Sequence, residues 1–249
     1  MKRSFLFLLV GITFFSCKEK VLTDTPPNPV ENVEIAVSYL WNNLGFKPDS
    51  LLTNNKGNQF FITDIKVLFS RFYVLSAGDT FQNKNGNFAY TLNNVEQLVH
   101  ELPDGGYSGF YGFRLGVDSM VNITTLPGQS PEGSGLRESG MFRNDGMGYN
   151  SILIEGRAID PTDPDDVTGT IPFRYEIASH YFRRELNSGQ ANFAVTADTQ
   201  VNLILNIDAW PIFNDFDIVA RPTITSDPNN AIDFAQAQMM SDSLYIKLF

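Results

Sequence analysis

The chain has 249 residues, 43% of them hydrophobic and 18% charged, with a formal net charge of −10. That length is enough for one large all-β domain or two small ones. Its acidity argues against nucleic acid as a partner, since phosphate contacts need basic patches. One cysteine and two histidines leave little material for disulfides or for metal clusters built from thiolate and imidazole.

In chain order, Met1-Lys-Arg3 is a short basic segment and Phe5 to Phe15 an apolar run. That run is too short for the ~20 residues that cross a bilayer. The sole cysteine, Cys17, follows at once. The pattern reads as an export signal over residues 1–16. The placement of Cys17 resembles a bacterial lipobox, which implies acylation of that cysteine as the new N-terminus. Acyl chains contribute ~0.8 kcal/mol per buried CH₂, so several of them hold a protein firmly at a membrane surface. The expectation is a protein anchored to the cell outer membrane, facing the periplasm or the exterior. Lys18-Glu-Lys20 resembles the charged export signals of surface lipoproteins. Residues 17–32 form a tether, stiffened by Thr25-Pro-Pro-Asn-Pro29, and 33–249 the folded part.

Strand signals dominate that part. Val33–Tyr39 alternates, with Val33, Ile35 and Val37 on one side and Glu34, Ala36 and Ser38 on the other. Asn54-Asn-Lys-Gly57 is a turn. Phe60–Leu75 is long enough for two strands or one bent strand crossing between sheets, and an amphipathic helix over Thr63–Phe72 competes with that reading. Gly78-Asp79 and Asn83-Lys-Asn-Gly86 are hairpin turns, and Pro103-Asp-Gly-Gly106 is another turn. Strands are predicted at Phe88–Leu92, Glu96–Glu101, Gly109–Leu115, Ser151–Gly156, Ile171–Ser179, Asn192–Ala197 and Gln200–Asp208. A helix is predicted over Ile232–Ser241, with Phe234 and Ala237 sharing a face. Short strands between regular turn signals predict an all-β fold, a β-sandwich with Greek-key-like connections. Between Tyr111–Leu115 and Ser151–Glu155 lie about 35 residues rich in Gly, Pro, Ser and Asn; a loop of that length is where function is expected.

The segments Phe60-Phe-Ile-Thr-Asp-Ile-Lys-Val-Leu-Phe-Ser70, Leu102-Pro-Asp-Gly-Gly-Tyr107, Leu115-Gly-Val-Asp-Ser119 with Asn122, Gly140-Met-Phe142, Gly148-Tyr149 and Ile154-Glu-Gly156 occur in that order. Together they resemble the MbnP-like copper-binding proteins, over about residues 33 to 213. The resemblance implies a secreted or lipid-anchored β-sandwich that binds copper through histidines and, in some members, through an oxidised tryptophan. The family's central loop carries two tryptophans, spaced Gly-Met-x-Trp-x-Trp-x-x-Gly-Tyr. Here Arg143 and Asp145 stand at those positions, and the two tryptophans, Trp41 and Trp210, lie elsewhere. Arg143 puts a fixed cation where a metal would be repelled. His180 stands where members often carry a histidine. Imidazole and thioether suit copper, so the expected ligands are His180 with Met141 and Met147; Met120 offers further sulfur, and Asp145 or Asp118 oxygen. His100, beside Glu101, reads as an ordinary strand residue.

Two acidic groups stand apart from this. Asp160-Pro-Thr-Asp-Pro-Asp-Asp166 puts four carboxylates in one loop, which invites calcium, but its spacing is not that of an EF-hand and it reads as a solvated loop. Asp208, Asp215 and Asp217 read as a strand end and a turn. There is no Gly-x-Ser-x-Gly, no His-Glu-x-x-His and no phosphate-cradling glycine loop. The expected function is therefore non-catalytic: copper binding by the Gly140–Tyr149 loop with His180. The alternative is a surface module whose long loop binds a protein or a glycan without metal.

Overall fold

The computed structural model describes residues 33–76, 79–82, 88–91, 98–100, 105–117, 125–130, 135–196 and 201–248. Cys17 and its tether lie outside them, as do Gly78, residues 83–86, Asp118, Met120 and Asn122. The strands are β1 (Val33–Trp41), β2 (Leu44–Gly45), β3 (Leu51–Thr53), β4 (Gln59–Ser76), β5 (Asp79–Gln82), β6 (Phe88–Thr91), β7 (Leu98–His100), β8 (Gly105–Leu115), β9 (Phe142–Arg143), β10 (Gly148–Ala158), β11 (Ile171–Ala178), β12 (Arg184–Val195), β13 (Val201–Asp208), β14 (Thr223–Ile224) and β15 (Tyr245–Leu248). The helices are α1 (Gly135–Glu138), α2 (Ser179–Phe182), α3 (Trp210–Phe213) and α4 (Ala231–Ser243).

The fold is the all-β sandwich that the turn signals predict. A smaller sheet runs β15-β13-β1-β2, with β7 also on β1. A larger one runs β12-β8-β4-β10-β11-β14, with β3, β5 and β6 added to β4 and β9 to β10. Phe60–Leu75 lies in one continuous strand, β4, which stays within the larger sheet instead of crossing between sheets and changes partners along its length. It meets β10 over Phe60–Val67, β6 over Lys66–Phe69 and β8 over Arg71–Val74. The helical reading of Thr63–Phe72 fails because the burial has period two. Ile65, Val67 and Phe69 enter one core while Leu68 enters another. β12 begins eight residues before the predicted strand, and its ladder with β8 carries an irregularity between Asn187 and Gln190.

The main core lies between the sheets. Val37, Tyr39, Leu203, Leu205 and Ile207 come from the smaller one and Val67, Phe69, Ile152, Ile154, Tyr175 and Ile177 from the larger. The Tyr39 hydroxyl donates to the Tyr90 carbonyl at 3.1 Å, a polar tie inside the core. Burial of this phenol, with Asp64 and Tyr90 nearby, holds its pKa well above the usual value, so it stays a donor. Asp208 proves to be structural. Its carboxylate accepts from the backbone N–H groups of Asn42 (3.1 Å), Asn43 (3.0 Å) and Trp210 (2.9 Å), closing the β1–β2 turn against the start of α3. α4 extends the predicted C-terminal helix by a few residues. Asn230 caps it, and Ala237 is buried with Phe234 packed against the same core. Among the described residues, no helix is long and apolar enough to cross a membrane.

Candidate functional site

The described part of the long central segment, residues 125–130 and 135–150, is not an open loop. β10 is buried on both faces at its start. Alternation along the larger sheet sends Leu68 and Leu153 to the face away from the main core, and the central segment folds over that face. Met141, Tyr149, Val117, Leu136 and Ala89 join Leu68 and Leu153 in a second apolar cluster, with Phe142 packed against it. Met141 and Tyr149 are fully enclosed, and each enclosed side chain of that size contributes about 1.5–3 kcal/mol. The Phe142 and Tyr149 rings meet edge-on at 5.1 Å.

Hydrogen bonds tie the described part of the segment at several points. The Tyr149 hydroxyl donates to the Thr125 carbonyl (3.2 Å), and Lys66 Nζ to the Ser139 carbonyl (3.2 Å). The Ser139 hydroxyl accepts from the Met141 N–H (3.2 Å), and the Asn150 N–H donates to the Met141 carbonyl (2.9 Å). Phe142 and Arg143 pair with Tyr149 and Gly148 to make a hairpin around the turn Asn144–Met147.

Arg143 anchors this hairpin. Its side chain is 6% exposed. Nε and Nη2 embrace the Asp145 carboxylate, Nη1 donates to the Thr225 carbonyl at 2.6 Å, and Glu176 Oε2 lies 3.9 Å from Nη1. Glu176 in turn pairs with Arg174, which pairs with Glu155, so charges alternate along the β10–β11 surface. Thr225 is itself held by Asp233 of α4 (N–H to Oδ1, 2.9 Å), so the hairpin is tied to the C-terminal helix. Partial burial works against the charged form of Asp145. Hydrogen bonds from Arg143 and from the Met147 N–H outweigh it and hold the carboxyl below its usual range.

Two signature glycines are where they are for want of room. Gly116 has φ +80°, and a Cβ there would stand 2.9 Å from Ser179 Oγ. A Cβ on Gly156 would stand 2.3 Å from both the Phe173 ring and the Phe61 carbonyl. The strand motifs thus mark close approaches between chain segments.

The family model MbnP matches residues 30–230. The chain belongs to the MbnP family. Among solved structures, MbnP from Methylosinus trichosporium is similar to it with a TM-score of 0.48 and 13% identity, over 79% of this chain and 81% of that one. A search of curated proteins returns no match.

In this MbnP-family chain the predicted ligands do not form one donor set. Asn150 pairs with Ala178 across β10 and β11, so the hairpin and His180 emerge at the same end of that ladder. There, however, the donors diverge in surroundings. Met141 is sealed in the apolar cluster. Asp145 is committed to Arg143 and the Met147 N–H (3.0 Å). Met147 is half-buried at the turn. His180 is exposed on α2, its ring 4.7 Å from that of Tyr181. Among the described residues, no three His, Cys, Asp or Glu side chains converge as a metal site needs. Asn150 Oδ1 and Ser179 Oγ are buried without partners at this end, but both are oxygens and do not supply the nitrogen and sulfur that copper prefers. The described residues do not fit a copper centre at the hairpin.

The acidic loop is also self-contained. The Asp166 carboxylate accepts from the N–H groups of Asp160 (2.8 Å), Gly169 (2.8 Å) and Thr170 (2.9 Å), which hold its pKa far below the usual carboxylate range. Its oxygens are used in shaping the loop. Glu176, Thr225 and Asp233 had no signal in the linear sequence. The register brings the opposed charges Glu155 and Arg174 face to face.

Proposed function

We propose that this MbnP-family protein is a non-catalytic binding protein of the cell envelope, held at the outer membrane through acylated Cys17, whose central hairpin no longer builds the family's copper centre. The Arg143–Asp145 pair carries the reading. It occupies the two positions where the family's loop bears tryptophans and satisfies them with each other. A metal ion there would meet the guanidinium charge and find Asp145 already bonded. The binding module without metal, through a hairpin of exposed Met141, Phe142 and Tyr149, is not favoured, because Met141 and Tyr149 are buried.

Two measurements test this. Calorimetric titration of the mature protein in detergent with Cu(I) and Cu(II) is expected to give binding weaker than micromolar, on the order of −8 kcal/mol at most. Tighter one-to-one binding that is lost in His180→Ala would overturn the proposal. Metabolic labelling with palmitate is expected to mark the protein and to fail for Cys17→Ala; equal labelling of both would remove the anchor.

A further inference from the structure

Between α2 and α4 lies a cavity of about 320 Å³. It is lined by Tyr181, Arg183 and Arg184 and, from α4, by Phe234, Gln238 and Asp242. That volume is at the small end of ligand clefts, ~300–1,000 Å³. We propose that this cavity binds one neutral sugar unit of a glycan.

The argument starts from the rings. Tyr181 is 39% exposed, which is unusual for an aromatic side chain that is also firmly held. Its ring stands nearly perpendicular to His180 at 4.7 Å and to Phe234 at 5.2 Å. Phe234 is in turn braced by Phe182 at 4.9 Å. A rigid aromatic wall open to solvent suits a flat, C–H-rich ligand face, because the ring face carries partial negative charge and the C–H groups partial positive.

The polar wall has the complementary character. Arg183, Gln238 and Asp242 are exposed and end in planar groups. Between them they donate and accept hydrogen bonds in fixed directions, as vicinal hydroxyls require. Arg184 is the fixed floor. It donates to the Asp242 carbonyl (3.2 Å) and the Leu244 carbonyl (2.7 Å), closing the C-terminal end of α4.

Charge selects the neutral ligand. The cavity's two arginines are offset by Asp242 and by the carbonyl end of α4. The chain as a whole carries −10, which disfavours anionic ligands at long range. A cation would find a single carboxylate, Asp242, in the lining. A neutral polyhydroxylated ring meets neither cost.

Saturation-transfer NMR on the full mature protein in detergent, with chelator present, tests this independently of copper. The probes are neutral oligosaccharides (α- and β-linked glucans, mannan and xylan fragments), with oligogalacturonate as the anionic comparison. The expected result is transfer from at least one neutral probe with a dissociation constant of about 1 mM or tighter. That transfer should weaken about tenfold or more in Tyr181→Ala and also in Gln238→Ala, two exposed positions whose loss leaves the core intact. Three results would each overturn the proposal: no transfer from any neutral probe, binding of the galacturonate alone, or binding unchanged in both variants.

Discussion

The hairpin Gly140–Tyr149 and the short helix Ser179–Phe182 hang from the same end of the β10–β11 ladder, yet they have opposite characters. The hairpin turns its large side chains inward. Met141 and Tyr149 are enclosed, the Tyr149 hydroxyl and the Arg143 guanidinium bond the carbonyls of Thr125 and Thr225, and Lys66 holds the Ser139 carbonyl. The helix buries Ser179 and Phe182 but turns its two middle side chains outward. His180 and Tyr181 are exposed, and Tyr181 borders an open cavity. Apolar and polar groups that are fully satisfied by the protein have little left for a ligand, whereas a braced ring facing water has much. The difference teaches that the stretch most conspicuous in sequence is here a structural clasp. Binding capacity has to be sought beside it.

The largest effect that can break this comparison is in the second apolar cluster. Met141→Ala removes a fully buried side chain between Leu68, Leu153 and Tyr149 and is expected to cost about 2–5 kcal/mol. Met239→Ala, at a position 46% exposed on α4, is expected to change stability by no more than about 0.5 kcal/mol. Urea unfolding of the two variants side by side measures the contrast. Equal midpoints would mean that the central segment does not pack as a clasp and that Met141 is available for other roles.

How much of this was legible in the sequence follows from the range of the interactions. The period-two runs exposed most strands, because burial on a pleated surface is a local alternation. The length of β4 was visible for the same reason. The exchange of partners was not legible, since it depends on which distant strands arrive beside it. The central segment looked like a loop because Gly, Ser and Asn dominate its composition. Its few large residues, Leu136, Met141 and Tyr149, acquire meaning only when Leu68 and Leu153 present a second apolar face. Met141 as a soft ligand was a reasonable expectation from chemistry alone, and its enclosure is a matter of tertiary packing. Arg143 was noticed as a misplaced cation. Its partners Glu176 and Thr225 lie 33 and 82 positions further along the chain, and no spacing rule links them. The aromatic and basic run His180-Tyr-Phe-Arg-Arg184 was in plain view, but its significance depended on α4 folding back beside it.

A smaller and sharper test concerns the clasp itself. Arg143→Met keeps the apolar stem but leaves the Thr225 carbonyl without its donor and Asp145 without its cation. The expected cost is about 1–3 kcal/mol. Asp145→Asn should cost less, about 0.5 kcal/mol, because the Asp145 side chain is 48% exposed and solvent screens the pair. The double variant should be less destabilised than the sum of the two, since both remove the same contact. The pH dependence then isolates the carboxylate. Folding lowers the Asp145 pKa below its unfolded value near 3.9. Such a group contributes its stability in full above the unfolded value and loses it as pH falls through the folded one. The stability difference between the parent protein and Asp145→Asn should therefore be constant above about pH 5 and shrink below about pH 4. Other carboxylates, Asp166 included, titrate in both proteins and cancel in the difference. If the difference persists undiminished to pH 2, the pair contributes through geometry alone, and Thr225 and Glu176 are what fix Arg143 in the hairpin.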